Sequence, residues 1–207
     1  MNEPTHGEKR IGLLTSSVAH IIMHGSEKAW ESYRTALWAA DGTEFAANYG
    51  GAREYGHAHE AEGAAKFWER HNDTELTGDI QAPFYLYRSP HSTLDQWLAS
   101  SPDRVVLDAW GNGIRGGLEI KSPTSPETFD IHTKRKHYDQ CQHGLLVTKF
   151  PQWWLVVHHG DLYKEFHLLP DKEWQDRYLE RAEKFLAYTY EDKPVVRRKL
   201  SITDLGI

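Results

Sequence analysis

The sequence predicts a mixed α/β (α+β) domain in which a central mixed sheet is covered by helices. Three observations carry this expectation: apolar residues recur at helical spacing in several stretches, two pairs of extended segments flank Gly-containing turns, and no repeat or low-complexity linker interrupts the chain. At 207 residues and 39% apolar composition, with eight Trp and ten Tyr, the chain suffices for one domain with a sizeable core and is short for two. Residues 1–207 are therefore read as a single domain.

The elements follow in order. Residues 26–41 read as a helix: Ser26 is a capping residue, Trp30, Tyr33, Leu37 and Ala40 recur at helical spacing, and Gly42 follows as a stop. Residues 52–71 read as a second helix, with Ala61, Ala64, Ala65, Phe67 and Trp68 as its buried face. Residues 82–88 look extended, and 103–109 and 114–121 form a hairpin about Gly111, Asn112 and Gly113. A helix over 134–148, a second hairpin of Trp153–His159 and Leu162–Leu169 about Gly160 and Asp161, and an amphipathic helix over 171–190 complete the chain.

Composition excludes several classes. The single Cys141 forms no internal disulfide and rules out a cysteine-ligated iron–sulfur cluster. No basic segment followed by an apolar stretch opens the chain, and no run approaches eighteen apolar residues, so a cytoplasmic setting without a membrane span is expected. The net charge of −6 opposes broad nucleic-acid binding through surface charge. An enzyme that gathers carboxylates around cations is nevertheless acidic for its own reasons. Any nucleic-acid footprint is then local, with Lys134 to Lys136, Arg197 to Lys199 and Arg10 as its basic residues.

The chemistry concentrates in Ser101-Pro102-Asp103, followed after fifteen residues by Glu119-Ile120-Lys121. On a strand, Glu119 and Lys121 share one face. A hairpin centred on Asn112 places Asp103 opposite Lys121 and Val105 opposite Glu119, and leaves Asp108 remote. Converging carboxylates repel unless a cation or a proton lies between them, and Mg²⁺ suits an all-oxygen site. Lys121 would orient or help deprotonate a water and offset charge on a phosphoryl group, which makes phosphodiester hydrolysis the matching reaction. On the 52–71 helix, Glu60 falls at the edge of the apolar arc while Glu62 and Glu69 point away, so Glu60 is a third carboxylate in need of a partner. Gln140 and Gln142 are side-chain amides suited to phosphate oxygens or to solvent. The thirteen His, among them His57/His59 and His158/His159, include no HExxH and no Cys/His set, and are read as structural.

Taken in order, Arg10 to Ser17, Gly56 to Glu60, Ser101-Pro-Asp103, Leu118-Glu119-Ile-Lys121-Ser-Pro123 and Gln140-Cys-Gln142 with Val147-Thr148 resemble the bacteriophage lambda exonuclease family, the phage-type, YqaJ-like recombination nucleases with a restriction-endonuclease-like core. Two positions depart from the family pattern: Arg104 stands where a glycine is usual, and His137, with Tyr138 beside it, where an aromatic residue is usual. The resemblance implies that Asp103, Glu119, the Ile120 carbonyl and Glu60 hold two divalent ions, Mg²⁺ or Mn²⁺, with Lys121 as the catalytic lysine. It implies that Arg10, Ser17, Ser101 and Gln140 cradle a terminal 5′ phosphate, with Thr15, Gln142 and Tyr138 in secondary positions. It further implies 5′-to-3′ digestion of one strand of linear duplex DNA to mononucleotides, a ring-shaped homotrimer, a single-strand annealing protein as partner, and a bacterial or prophage source. Two other readings use the same residues: an endonuclease or junction resolvase on the same core, which needs no end pocket, and a non-catalytic DNA-binding or annealing module.

Overall fold

The computed structural model describes residues 12–37, 50–71, 74–77, 84–108, 113–126 and 131–190. In chain order these form β1 (Leu14–Thr15), a 3₁₀ turn (Ser16–Val18), α1 (Ala19–His24), α2 (Glu27–Leu37), α3 (Gly50–Arg70), β2 (Thr74–Thr77), β3 (Tyr85–Leu86), β4 (Leu98–Ser100), β5 (Arg104–Asp108), β6 (Ile114–Lys121), α4 (Ile131–Thr148), β7 (Trp153–His159), β8 (Leu162–Leu168) and α5 (Lys172–Tyr190). Five strands make the main sheet in the order β2-β5-β6-β7-β8, and β1-β4-β3 form a smaller one. Only β6 and β7 run parallel in the main sheet, as required by the crossover through α4, so the sheet is mixed as expected.

β6 and β7 are buried on both faces, which explains why apolar and small residues fill their buried positions apart from Glu119 and His158. On one face α3 packs Ala64 and Phe67 against Val106, Leu118, Ile120, Trp154 and Val156. On the other, α4 packs Cys141 and Leu145 against Val105, Trp153, Leu155 and Val157. A third cluster joins α1, α2, α5 and the small sheet through Ile22, Tyr33, Leu98, Tyr178 and Phe185.

Glycines set how closely both helices approach β6. A Cβ on Gly63 of α3 would lie 2.6 Å from Ile120 Cγ2 and 2.7 Å from the His158 ring. The Trp153 ring lies between Gly117 of β6 and Gly144 of α4, where added Cβ atoms would come within 2.6 and 2.5 Å of it. No larger side chain fits either contact without moving a helix.

Two expectations are corrected. The first hairpin pairs Arg104 with Leu118 and Val105 with Gly117, two residues from the predicted register, with an irregularity between Val106 and Leu107. Among the described side chains of α3 the buried residues are Gly63, Ala64 and Phe67, whereas Ala61 and Ala65 are exposed and Trp68 is 53% exposed. The first predicted helix is present as α2: Ser26 caps it by accepting from Ala29 N–H at 3.3 Å, it is described to Leu37, and Ala40 and the predicted stop Gly42 lie outside the described residues.

Candidate active site

The site is built around the end of β6. Alternation puts Glu119 and Lys121 on one face. Glu119 is only 2% exposed, and its carboxylate accepts hydrogen bonds from both Lys121 Nζ and Gln140 Nε2. A carboxylate this deep requires such partners. Asp103, in the turn leading into β5, accepts from the Ile120 backbone N–H at 2.6 Å, which ties it to the same strand end. Arg104 donates to the Asp103 carbonyl at 2.6 Å, so the position where a glycine was expected carries a guanidinium beside the carboxylates.

Glu60 arrives from α3, half-buried, and shares a hydrogen bond with Asp103. Burial first, then the charge of Asp103 and the hydrogen bond to it, push its carboxyl up to about 8; Glu119 adds to the rise and Arg104 opposes it. Two carboxyl groups this close share a proton at neutral pH when no cation lies between them. Lys121 experiences the opposite balance: burial disfavours its ammonium form, but Glu119 and Asp103 more than compensate and hold it above its ordinary value. It is therefore a fixed cation, suited to orienting a water or a phosphoryl oxygen rather than to taking up a proton.

The oxygen donors present fit a hard divalent cation: the carboxylates of Glu60, Asp103 and Glu119, with the Ile120 carbonyl on the same strand. Behind them, Ser122 Oγ and His158 Nε2 share a 2.7 Å hydrogen bond, and His159 Nδ1 donates to the Pro123 carbonyl at 2.8 Å, anchoring the chain as it leaves β6.

Three segments meet beside this centre. β1 pairs with β4 through Thr15 and Ala99, which brings Ser16 and Ser17 alongside Ser100 and Ser101. Ser16 Oγ donates to Ser100 Oγ at 2.9 Å and lies 3.0 Å from His143 Nδ1 of α4, one turn after Gln140. Thr15 Oγ1 and Ser17 Oγ share a 3.0 Å hydrogen bond. Ser101 Oγ is buried with no hydrogen-bond partner among the described residues, an orphaned donor of the kind that an anion satisfies. Arg10 lies outside the described residues.

Two predicted secondary residues are used elsewhere. Gln142 is buried and bonds the Leu169 carbonyl at 2.8 Å and the Asp171 N–H at 2.9 Å, and Tyr138 donates to Asp171 at 2.6 Å. Both dock the start of α5 and neither faces Glu119. Conversely, the structure brings Ser16, Ser100 and His143 together beside the site, none of them among the candidate residues of the sequence, and sets Arg104, noted there only as a departure from the family pattern, next to Asp103. Ser16 and Ser100 stand next to residues already chosen, and adjacency was the available signal.

The fold is that of the alkaline exonucleases. The crystal structure of an alkaline exonuclease (LHK-Exo) from Laribacter hongkongensis matches with a TM-score of 0.65 at 18% identity, covering 87% of this chain and 89% of that one. The same enzyme in complex with dAMP matches at 17% identity with the same TM-score. A phage related exonuclease from Haemophilus somnus 129PT matches with a TM-score of 0.54 at 10% identity, covering 86% of this chain and 93% of that one. No curated protein matches in sequence. The model of the YqaJ-like viral recombinase domain matches residues 6–151, more than half of the chain, and the chain belongs to that family.

Proposed function

We propose that this protein is a divalent-metal-dependent exonuclease that digests one strand of linear duplex DNA from a phosphorylated 5′ end. The observation that carries the reading is the convergence of Glu60, Asp103 and Glu119 at the end of β6, beside a lysine held as a cation. A bound Mg²⁺ or Mn²⁺ would activate water and offset charge on the leaving oxygen. The residues supply the rest. Gln140 and Lys121 fix the Glu119 carboxylate, Asp103 is held by the Ile120 N–H, and the Lys121 cation would offset charge gained by a non-bridging phosphate oxygen. Water adds to phosphorus, the P–O3′ bond breaks, and the 3′ oxygen leaves with a proton.

The unpartnered Ser101 hydroxyl, one residue beyond the β4 end that pairs beside Ser16 and Ser17, supports an end pocket for the 5′ phosphate, to which the family resemblance would add Arg10. The net charge of −6 favours enclosure of DNA within a homotrimeric ring over surface adhesion, with an annealing protein receiving the 3′ strand. Digestion of duplex labelled at its 5′ or 3′ end, beside a closed circle, tests the reading. Release of 5′-terminal mononucleotides that stops with EDTA is expected. Rapid cutting of the circle would replace it with an endonuclease.

A further inference from the structure

We infer that His20, His24 and Asp139 form a second cation site, for a borderline transition ion such as Zn²⁺, between α1 and α4. His20 and His24 are four residues apart on α1, so their rings share one face and lie 4.9 Å apart. They converge on one oxygen of Asp139: His20 Nδ1 is 2.6 Å and His24 Nε2 is 3.1 Å from Asp139 Oδ2. All three ligand atoms lie within 4.8 Å of one another. A tetrahedral ion with bonds of about 2.0–2.1 Å separates its ligand atoms by about 3.4 Å, so movements of roughly 1 Å or less bring this set onto an ion.

The carboxylate is prepared for that role. Asp139 is 1% exposed, and its other oxygen accepts from Trp174 Nε1 at 2.7 Å. A buried carboxylate anchored by one oxygen presents the other in a fixed direction, which is the support that metal ligands commonly receive. The two imidazoles remain partly exposed, at 36% and 24%, leaving an entry path and room for water in the remaining coordination positions. Two nitrogens and one carboxylate oxygen favour Zn²⁺-like ions, whereas the all-oxygen set at Glu60, Asp103 and Glu119 favours Mg²⁺. His24 is held below its ordinary value by burial, so its ring is available as a neutral ligand. Arg135, whose Nη2 lies 3.3 Å from His24 Nδ1, is exposed and has a flexible stem that lets it turn away from an incoming cation.

The location gives the ion a consequence. Asp139 and Gln140 are consecutive on α4, and consecutive helical residues point about 100° apart, so one faces α1 while the other faces Glu119. An ion bound to Asp139 would clamp α1, which begins directly after the Ser16–Val18 turn, onto the helix that carries Gln140.

Equilibrium dialysis of the full chain against Zn²⁺, with excess Mg²⁺ to fill the oxygen site, tests the inference. The wild type and Glu119→Gln should each bind about one Zn²⁺ more per chain than His20→Ala/His24→Ala. Zn²⁺ should also raise the Tm of the first two proteins and not of the double variant. Cu²⁺ substituted at the site should show coupling to two nitrogens by electron paramagnetic resonance. Should the double variant fail to fold, Asp139→Asn, which can keep the Trp174 hydrogen bond, should weaken Zn²⁺ binding at least tenfold. Equal Zn²⁺ uptake by the wild type and the variants, or loss of the ion in Glu119→Gln alone, would overturn the second site.

Discussion

Glu60→Gln isolates the electrostatic cost at the centre of the site. Its carboxyl is pushed up to about 8 from an ordinary value of 4.5, chiefly by burial and by Asp103. At about 1.4 kcal/mol for each tenfold change in proton affinity, the full difference corresponds to about 5 kcal/mol. The side chain is 22% exposed and its neighbours relax, so about 2–3 kcal/mol is the expected measured effect. The sign follows from linkage: the folded state holds this proton more tightly than the unfolded chain, so its contribution is present in full below pH 4.5 and is lost as pH rises to about 8. Urea unfolding in EDTA should therefore show the wild type losing stability relative to Glu60→Gln between pH 4.5 and 8. Saturating Mg²⁺ should reverse the order at high pH, because the cation stabilises the ionised carboxylate that glutamine lacks. A stability difference between the two proteins that stays constant to within about 0.5 kcal/mol across this range would refute the placement of Glu60 against Asp103.

Three further outcomes are expected. Gly63→Ala should destabilise by about 1–2 kcal/mol, since overpacking against Ile120 and His158 exceeds the helical gain; Gly56→Ala on the same helix, with nothing within 4 Å, should stabilise by about 0.5–1 kcal/mol. Thermal unfolding of the pair, with equal shifts as the disproof, checks this. Lys121→Ala should reduce hydrolysis about 10²–10⁴-fold and, by leaving the buried Glu119 carboxylate with one partner fewer, also lower the Tm; a loss of hydrolysis below about tenfold in single-turnover assays of the folded variant would remove it from the chemistry. Duplex with a 5′ phosphate should be digested about tenfold to a hundredfold faster than duplex with a 5′ hydroxyl, with Ser101→Ala and Arg10→Ala each narrowing the gap; equal rates on both ends in the wild type would eliminate the end pocket.

What was legible in the sequence follows from how each signal is encoded. Glu119 and Lys121 were found because alternation along a strand is purely local and survives any error in pairing. The pairing itself was misplaced by two residues, since hairpin register depends on turn geometry and on the irregularity between Val106 and Leu107, which no apolar pattern records. Asp103 survived the error because its partner is the Ile120 backbone N–H and not a particular opposing side chain. β1 and β4, of two and three residues, are too short to show a period, and with them the bridge from Ser16 to Ser100 was lost, whereas β3 falls within the extended stretch 82–88. The spacing of His20 and His24 is visible in the sequence, but their partner Asp139 is over a hundred residues away.

Glu60 and Gln140 show how the same packing logic acts from both faces of the sheet. Each precedes, by three or four residues, a glycine at the closest approach of its helix: Gly63 against Ile120 and His158, and Gly144 against Trp153. Side chains on a helix lean toward its N-terminus, so a residue one turn before such a contact extends beyond it along the sheet. There Glu60 meets Asp103 and Gln140 meets Glu119, at the end of a strand that both helices cover. Substituting either glycine should therefore move a functional group without touching it. The apolar contacts that exclude water from β6 are thus also the contacts that fix the distances among its carboxylates.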